Sequence, residues 1–333
     1  MSHAYSRWHQ IAGVLFKPAR LTDSPRLACV IPAESGGWIL EKTAQMVANA
    51  YPGEARLVRR LYPVAAAEVY LFLHYHWAIK ALRTQPWLRR KKLFAFYTHP
   101  SDERIDPDEF VSLANSSVTP ICMCEPSEAH LLKAGVRRER IRRVFGAGAD
   151  PELFAAPVRE SQSPAVLGIC SAYYPRKRPE LSRAVAELMP DVTVRVLGPG
   201  WQEWSGYQDF AGLPNVRFET RDYEEYPEFY RSIRVFLSAS EVEGGPVPLI
   251  EAMMSNAVPV VSDTGFAREL IKDRENGFIF PVDARPPEIV SCIRQALAMS
   301  VDVRSSVVTR TWESFGLQMA RILGGESADR EMG

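Results

Sequence analysis

Short apolar runs that alternate with helix-patterned stretches constrain this chain more than any other feature of its 333 residues. The first, "RLACVIP" at 26–32, ends in proline and has the apolar density of a buried strand. "ESGGW" and then "ILEKTAQMVANAY" at helical spacing follow it, giving strand, Gly-rich turn and helix. "EVYLFLHY", "LFAFYTH" and "TPICMCEP" continue as strand-like runs, with room for helices between them. "SEAHLLKAG" has a Ser/Glu start and a Gly stop, and "IRRVFGAGADPELF" reads as a strand entering a Gly-punctuated loop. Residues 156–164, "APVRESQSP", are polar, Pro-bracketed and linker-like. Beyond them the pattern restarts with "AVLGICS", "RPELSRAVAELM", "VTVRVLGPG", "VRFET", "YEEYPEFYRSI", "RVFLSAS", "PLIEAMMSNA" and "VPVVSD". "ARELIKDRENG" reads as a helix capped by Gly277, and "FIFP" as a last strand. Such alternation predicts parallel sheets wrapped by helices. Two series mean an α/β chain of two facing Rossmann-like domains, 1–155 and 156–310, with 311–333 a helical tail crossing back to the first. Ligands of open α/β sheets bind beyond the carboxyl ends of the strands, which places the expected site in the cleft between the domains.

Forty Lys and Arg balance forty Asp and Glu, which argues against general nucleic-acid binding. The charge is uneven, however. Residues 1–150 carry 21 basic against 14 acidic side chains, and the remainder 19 against 26. A basic first half favours an anionic surface or acceptor. Five scattered cysteines suggest no disulfide framework, and no basic-then-apolar signal pattern opens the sequence. The apolar stretch "VYLFLHYHWAI" is too short to span a bilayer, so the expected location is cytoplasmic. "WLRRKKLF" sets four cations, Arg89, Arg90, Lys91 and Lys92, beside Trp87 and Phe94. It reads either as a dock for anionic lipid headgroups or as an exposed basic helix end.

"SEVEGGPVPLIEAM" (240–253) raises the sharpest chemical question. On one continuous helix, Glu243 and Glu251 would lie about 80° apart and face no common target. Pro246 and Pro248 exclude a helix interior here, so a loop carrying Glu243 should precede a helix starting near Pro248, with Glu251 in its first turn. The amides of such a helix start attract anions, and two nearby carboxylates suit hydroxyl-rich ligands. The plainer reading is one loop glutamate and one that complements the helix dipole.

The surrounding forty residues resemble the signature of the family-4 retaining glycosyltransferases of the GT-B fold, whose Glu-x7-Glu motif lies in "E-G-F-G-L-P-x-L-E-A-M". The matching residues are Glu243, Gly244, Pro248, Glu251, Ala252 and Met253, followed by Pro259-Val260-Val261, Gly265, Glu269 and Asn276-Gly277. "VFGAGADPELF", with Gly148, Asp150 and Phe154, is similar to the family's hinge segment. The resemblance implies transfer of a sugar, with retention, from a UDP- or GDP-type nucleotide-diphosphate donor to a saccharide or lipid-linked saccharide hydroxyl. Polysaccharide, lipopolysaccharide or glycolipid assembly is the implied setting, with no metal or other cofactor. It places Glu243 against the donor sugar, Glu251 on the ribose, His99 near the reacting carbon and Lys177 on the diphosphate. Gly36, Gly37, Gly244, Gly245, Pro248, Leu249 and Tyr223 become donor contacts. The family's second cation falls at Ala172, for which Arg176 or Arg178 can substitute, and its Phe-Gly is here Gly245-Pro246. Those two departures keep other readings open: a catalytically idle nucleotide-sugar-binding or scaffold protein, or another GT-B activity such as an epimerase. "DPD" (106–108) reads as a solvated acidic loop rather than a metal motif, "CMC" (122–124) as core thiols on one strand face, and His74 and His76 as residues alternating along a strand, with burial favoured over acceptor contact.

Overall fold

The computed structural model describes residues 26–31, 39–62, 66–100, 105–156 and 165–324. Gly36 and Gly37 lie outside the described residues, as does most of the 156–164 stretch. The chain divides into two compact units, Met1–Gly146 with Trp312–Gly333, and Ala147–Thr311.

The sheet of the first unit has the order β2-β1-β3-β4-β5-β6, every pairing parallel. Its strands are β1 (Leu27–Val30), β2 (Ala55–Val58), β3 (Val69–Phe72), β4 (Lys92–Tyr97), β5 (Val118–Cys122) and β6 (Arg142–Arg143). All four residues of β1 and of β3 are buried, as strands covered by helices on both faces require. Its helices among the described residues are α1 (Ile39–Ala50), α2 (Tyr75–Thr84), α3 (Pro107–Ser116), α4 (Glu125–Lys133) and α11 (Trp312–Gly324). Helix α11 packs along α1 so closely that a Cβ on Gly316 would meet the Met46 carbonyl at 3.0 Å.

The second unit is built on β7 (Val166–Cys170), β8 (Thr193–Leu197), β9 (Val216–Glu219), β10 (Val235–Ser238), β11 (Val258–Ser262) and β12 (Phe278–Phe280). Their order is β12-β11-β10-β7-β8-β9, again all parallel. Its helices are α5 (Pro179–Glu187), α6 (Tyr207–Ala211), α7 (Tyr226–Ser232), α8 (Val247–Met254), α9 (Ala267–Leu270) and α10 (Pro286–Ala298). The division falls after Gly146, ahead of the 156–164 stretch, because residues 147–156 are fastened to the second unit. The Ala149 amide donates to the Arg310 carbonyl at 3.0 Å, and Phe154 is fully buried against Tyr230. The Arg304 guanidinium donates to the carbonyls of Pro151 and Phe154 at 2.6 and 2.7 Å.

Several local expectations are corrected. The strand around residue 70 stops at Phe72, and His74 caps a new helix by accepting the His76 amide on Nδ1 at 3.1 Å. His74 and His76 therefore do not alternate along a strand. Cys122 ends β5, whereas Cys124 stands at the N-cap position of α4, its thiol 3.1 Å from the Ser127 hydroxyl, so the two thiols do not share a strand face. Asp106 is no loop residue but the N-cap of α3, accepting from the Asp108 amide at 2.9 Å. The helix expected up to Gly277 ends at Leu270. There the Asn276 side chain takes the Lys272 amide and the Leu270 carbonyl, curling the chain into β12.

Candidate active site

In the second sheet the chain starts at β7, runs outward through β8 and β9, and returns to the other side of β7 as β10. At such a reversal the loops after the two central strands diverge over opposite faces and open a crevice at the carboxyl ends. The loop after β7 contains a single 3-10 turn, Pro175–Lys177; the loop after β10 carries Glu243. The Glu241 amide donates to the Arg176 carbonyl at 2.8 Å and ties the loops together. A pocket at this point is lined by Cys170, Ser171, Lys177, Ser240, Pro246 and Pro248, among others.

Glu243 is 8% exposed and receives three donors. Lys177 Nζ and the Ser240 hydroxyl, the latter at 2.7 Å, meet Oε1, and Arg176 reaches Oε2 at 3.1 Å. Burial alone would raise the carboxyl's pKa. The charges of Lys177 and Arg176, with the hydrogen bonds of Lys177 and Ser240, outweigh it and bring the value down to about 2. One buried carboxylate between two cations leaves a net positive charge in a crevice, which favours an anionic ligand. Arg176 also holds the Val242 carbonyl at 3.1 Å. Arg178 turns away: its backbone is left-handed (φ 53°), and its guanidinium donates to the Val282 carbonyl. Of the two neighbouring arginines, the structure brings Arg176 to Glu243 and commits Arg178 elsewhere.

Glu251 lies on α8 and is 1% exposed. Its Oε1 accepts from the Tyr223 hydroxyl and its Oε2 from Tyr230 at 3.0 Å. Burial, then the neighbouring carboxylate charge, push the Tyr223 phenol far above its usual range, so it acts as the donor. Helix α8 starts at Val247 instead of Pro248, because Pro246 takes the extended capping conformation, and Glu251 consequently falls in the second turn. Two of the first positions of that helix offer no free amide to a ligand. Pro248 has no N–H, and the Leu249 amide donates to the Pro246 carbonyl at 3.0 Å. The positive character of the crevice comes from Arg176 and Lys177 instead. Gly244 and Gly245 run in the loop between the glutamates, and Gly265 packs beneath it. At Gly265 (φ +57°) a Cβ would approach the Gly244 carbonyl to 2.9 Å and the Glu243 Cβ to 3.0 Å.

His99, in the first unit, follows β4. The Tyr75 hydroxyl donates to its carbonyl at 3.0 Å, and its ring meets that of His74 edge-on at 5.9 Å. Sequence reasoning missed Ser240 and Tyr230 as supports of the two glutamates. A hydroxyl three residues before Glu243 was a usable signal for Ser240. Tyr230 had none, since only the packing of α7 brings it to Glu251.

The two all-parallel sheets, with a site at the reversal point of the second, place the chain in the GT-B class of folds. Residues 154–318 match the model of the family described as glycosyl transferases group 1. The Anabaena protein HepE, solved in complex with UDP and glucose, is 17% identical with a TM-score of 0.71, over 90% of this chain and 99% of that one. Sucrose-phosphate synthase from Thermosynechococcus elongatus is 14% identical with a TM-score of 0.68, over 90% and 98% of the two chains. The sulfoquinovosyl transferase SQD2 of Arabidopsis thaliana is 26% identical over 177 residues, covering 49% of this chain and 34% of that protein. The aligned region thus spans about a third of that relative's length.

Proposed function

We propose that the chain is a retaining glycosyltransferase of the family-4 type, which moves a sugar from a nucleotide-diphosphate donor to an acceptor hydroxyl. The observation that carries this is the convergence of Arg176 and Lys177 on buried Glu243 at the reversal point of the second sheet. In the reaction, the bond between the sugar's anomeric carbon and the diphosphate oxygen breaks, and its electron pair leaves with the diphosphate. Lys177 and Arg176 stabilise that growing charge from fixed positions. The acceptor oxygen bonds to the same face of the carbon, and its proton passes to the departing phosphate oxygen. Glu243 aligns the two cations and faces the donor sugar, Glu251 takes the ribose hydroxyls, and His99 keeps the role of a donor-sugar contact that the resemblance implies. With two cations on the leaving group, no metal is required, so transfer should be unchanged by EDTA.

The acceptor side belongs to the first unit in this reading, and the basic run serves it as a peripheral membrane contact at the cytoplasmic face. Arg89, Arg90, Lys91 and Lys92 are exposed and form no ion pair among the described residues. Trp87 is half-buried edge-on against Tyr70, with ring centroids 6.3 Å apart, so the contact is electrostatic and needs no inserted anchor. No helix among the described residues is long and apolar enough to cross a membrane.

A panel of UDP- and GDP-sugars screened by thermal shift, then assayed for transfer with the anomeric configuration read by NMR, tests the proposal. A stabilising donor whose sugar is transferred with retention supports it, whereas an inverted product overturns the retaining assignment. Ala172, where the family's second cation is absent, favours one rival: a protein that binds the nucleotide sugar without turning it over. That rival predicts a thermal shift with no transfer.

A further inference from the structure

The two hydroxyls that clamp Glu251 differ in their freedom to leave. Tyr230 is 0% exposed and reaches Oε2 from inside α7, its ring against Phe154, Phe229 and Phe236 at centroid distances of 5.7, 5.4 and 6.4 Å. Tyr223 reaches Oε1 from a single 3-10 turn, Tyr223–Glu225, in the loop that follows β9. It is half-buried, touching Phe154 at 6.2 Å and Tyr226 at 5.3 Å, and it keeps an open side. Moving Tyr230 would unpack the core. Tyr223 is carried instead by one short turn and is only half-buried.

A carboxylate this enclosed strongly disfavours losing a hydrogen-bond donor without replacement. Whatever displaces Tyr223 from Oε1 must therefore be a hydroxyl or N–H donor itself. We propose that Tyr223 is an internal stand-in for the ligand at Glu251: its phenol occupies Oε1 in the free protein and swings aside when the vicinal hydroxyls of a nucleotide ribose arrive. This rests on the reading that the second unit takes a nucleotide donor. Tyr223 then sets donor affinity by competing with the ribose, because binding must first break the Tyr223–Glu251 hydrogen bond. It also makes the site selective for ligands with a hydroxyl at that position, since a deoxy ligand gains nothing for opening the latch.

The test is isothermal titration of the full chain and of Tyr223→Phe with UDP, GDP and their 2′,3′-dideoxy analogues. Phenylalanine keeps the ring packing and removes only the hydroxyl. The variant should bind the matching ribose nucleotide about tenfold more tightly than the wild type, the worth of one net hydrogen bond. The dideoxy analogue should show no such gain. Unchanged or weaker ribose-nucleotide binding by the variant, or an equal gain for the dideoxy analogue, overturns the latch and leaves the donor site standing. Failure of both proteins to bind UDP or GDP overturns the donor-site reading on which the latch depends.

Discussion

Glu243→Gln is the most informative perturbation, because glutamine keeps the shape of the side chain and removes the charge that Arg176 and Lys177 share. Holding a carboxyl near pKa 2 in the folded protein, against 4.5 ordinarily, is worth about 3 kcal/mol at neutral pH. The folded value is depressed, so this stability is fully present above about pH 4.5 and is lost as pH falls through 2. Wild type and variant should accordingly differ by about 3 kcal/mol at pH 6–7, a size in keeping with breaking a buried ion pair, and converge toward pH 2. Urea unfolding at pH 7, 5, 4 and 3, followed by hydrogen exchange of the β10 and β11 amides, reads the second unit by itself. Transfer activity measured on the same samples should be largely lost, since the two cations are no longer held in register. A stability difference that stays constant from pH 7 to pH 3 would refute the assignment of Glu243 as the charge between them, and unchanged transfer would remove it from the site.

Lys177→Ala should lower kcat about a hundredfold or more with a smaller change in KM, as for loss of one fixed charge-stabilising group; steady-state kinetics with the identified donor checks this. Gly265→Ala forces a Cβ against the Gly244 carbonyl at 2.9 Å in a left-handed conformation. It should cost on the order of 1–3 kcal/mol in a melting experiment and raise the donor KM by displacing the loop between the glutamates. The quadruple variant R89A/R90A/K91A/K92A should weaken sedimentation with vesicles rich in anionic lipid by at least about a hundredfold and leave neutral vesicles unaffected. Equal loss on both vesicle types would discount an electrostatic contact.

Much of the fold was legible because both of its signals are local. Largely apolar runs such as Leu27–Val30 and Val258–Ser262 read as buried parallel strands, and Gly and Pro mark their ends. What escaped were elements whose local pattern is ambiguous. His74 and Cys124 looked like strand residues, yet each stands at the N-cap position of a helix. The 267–277 segment has helical spacing but is curled after one turn by the Asn276 side chain. At the site, the two prolines announced a loop ahead of a helix, whereas the start of that helix moved by one residue and took Glu251 into its second turn.

The sequence by itself determined the alternation that makes two parallel sheets, and it placed Lys177, Glu243 and Glu251 beside the ends of strands. Those are properties of residue type and spacing along one stretch of chain. The tertiary structure decided which groups meet. Arg176, and not Arg178, reaches Glu243 from 67 positions away, while Tyr223 and Tyr230 close on Glu251 from 28 and 21 positions away. Such pairings are set by strand order, since β10 returns to lie beside β7 and brings its following loop against the one begun far earlier in the chain. No local pattern carries that information. The register of two strands, and the direction in which one left-handed residue turns its side chain, exist only once the sheet has formed.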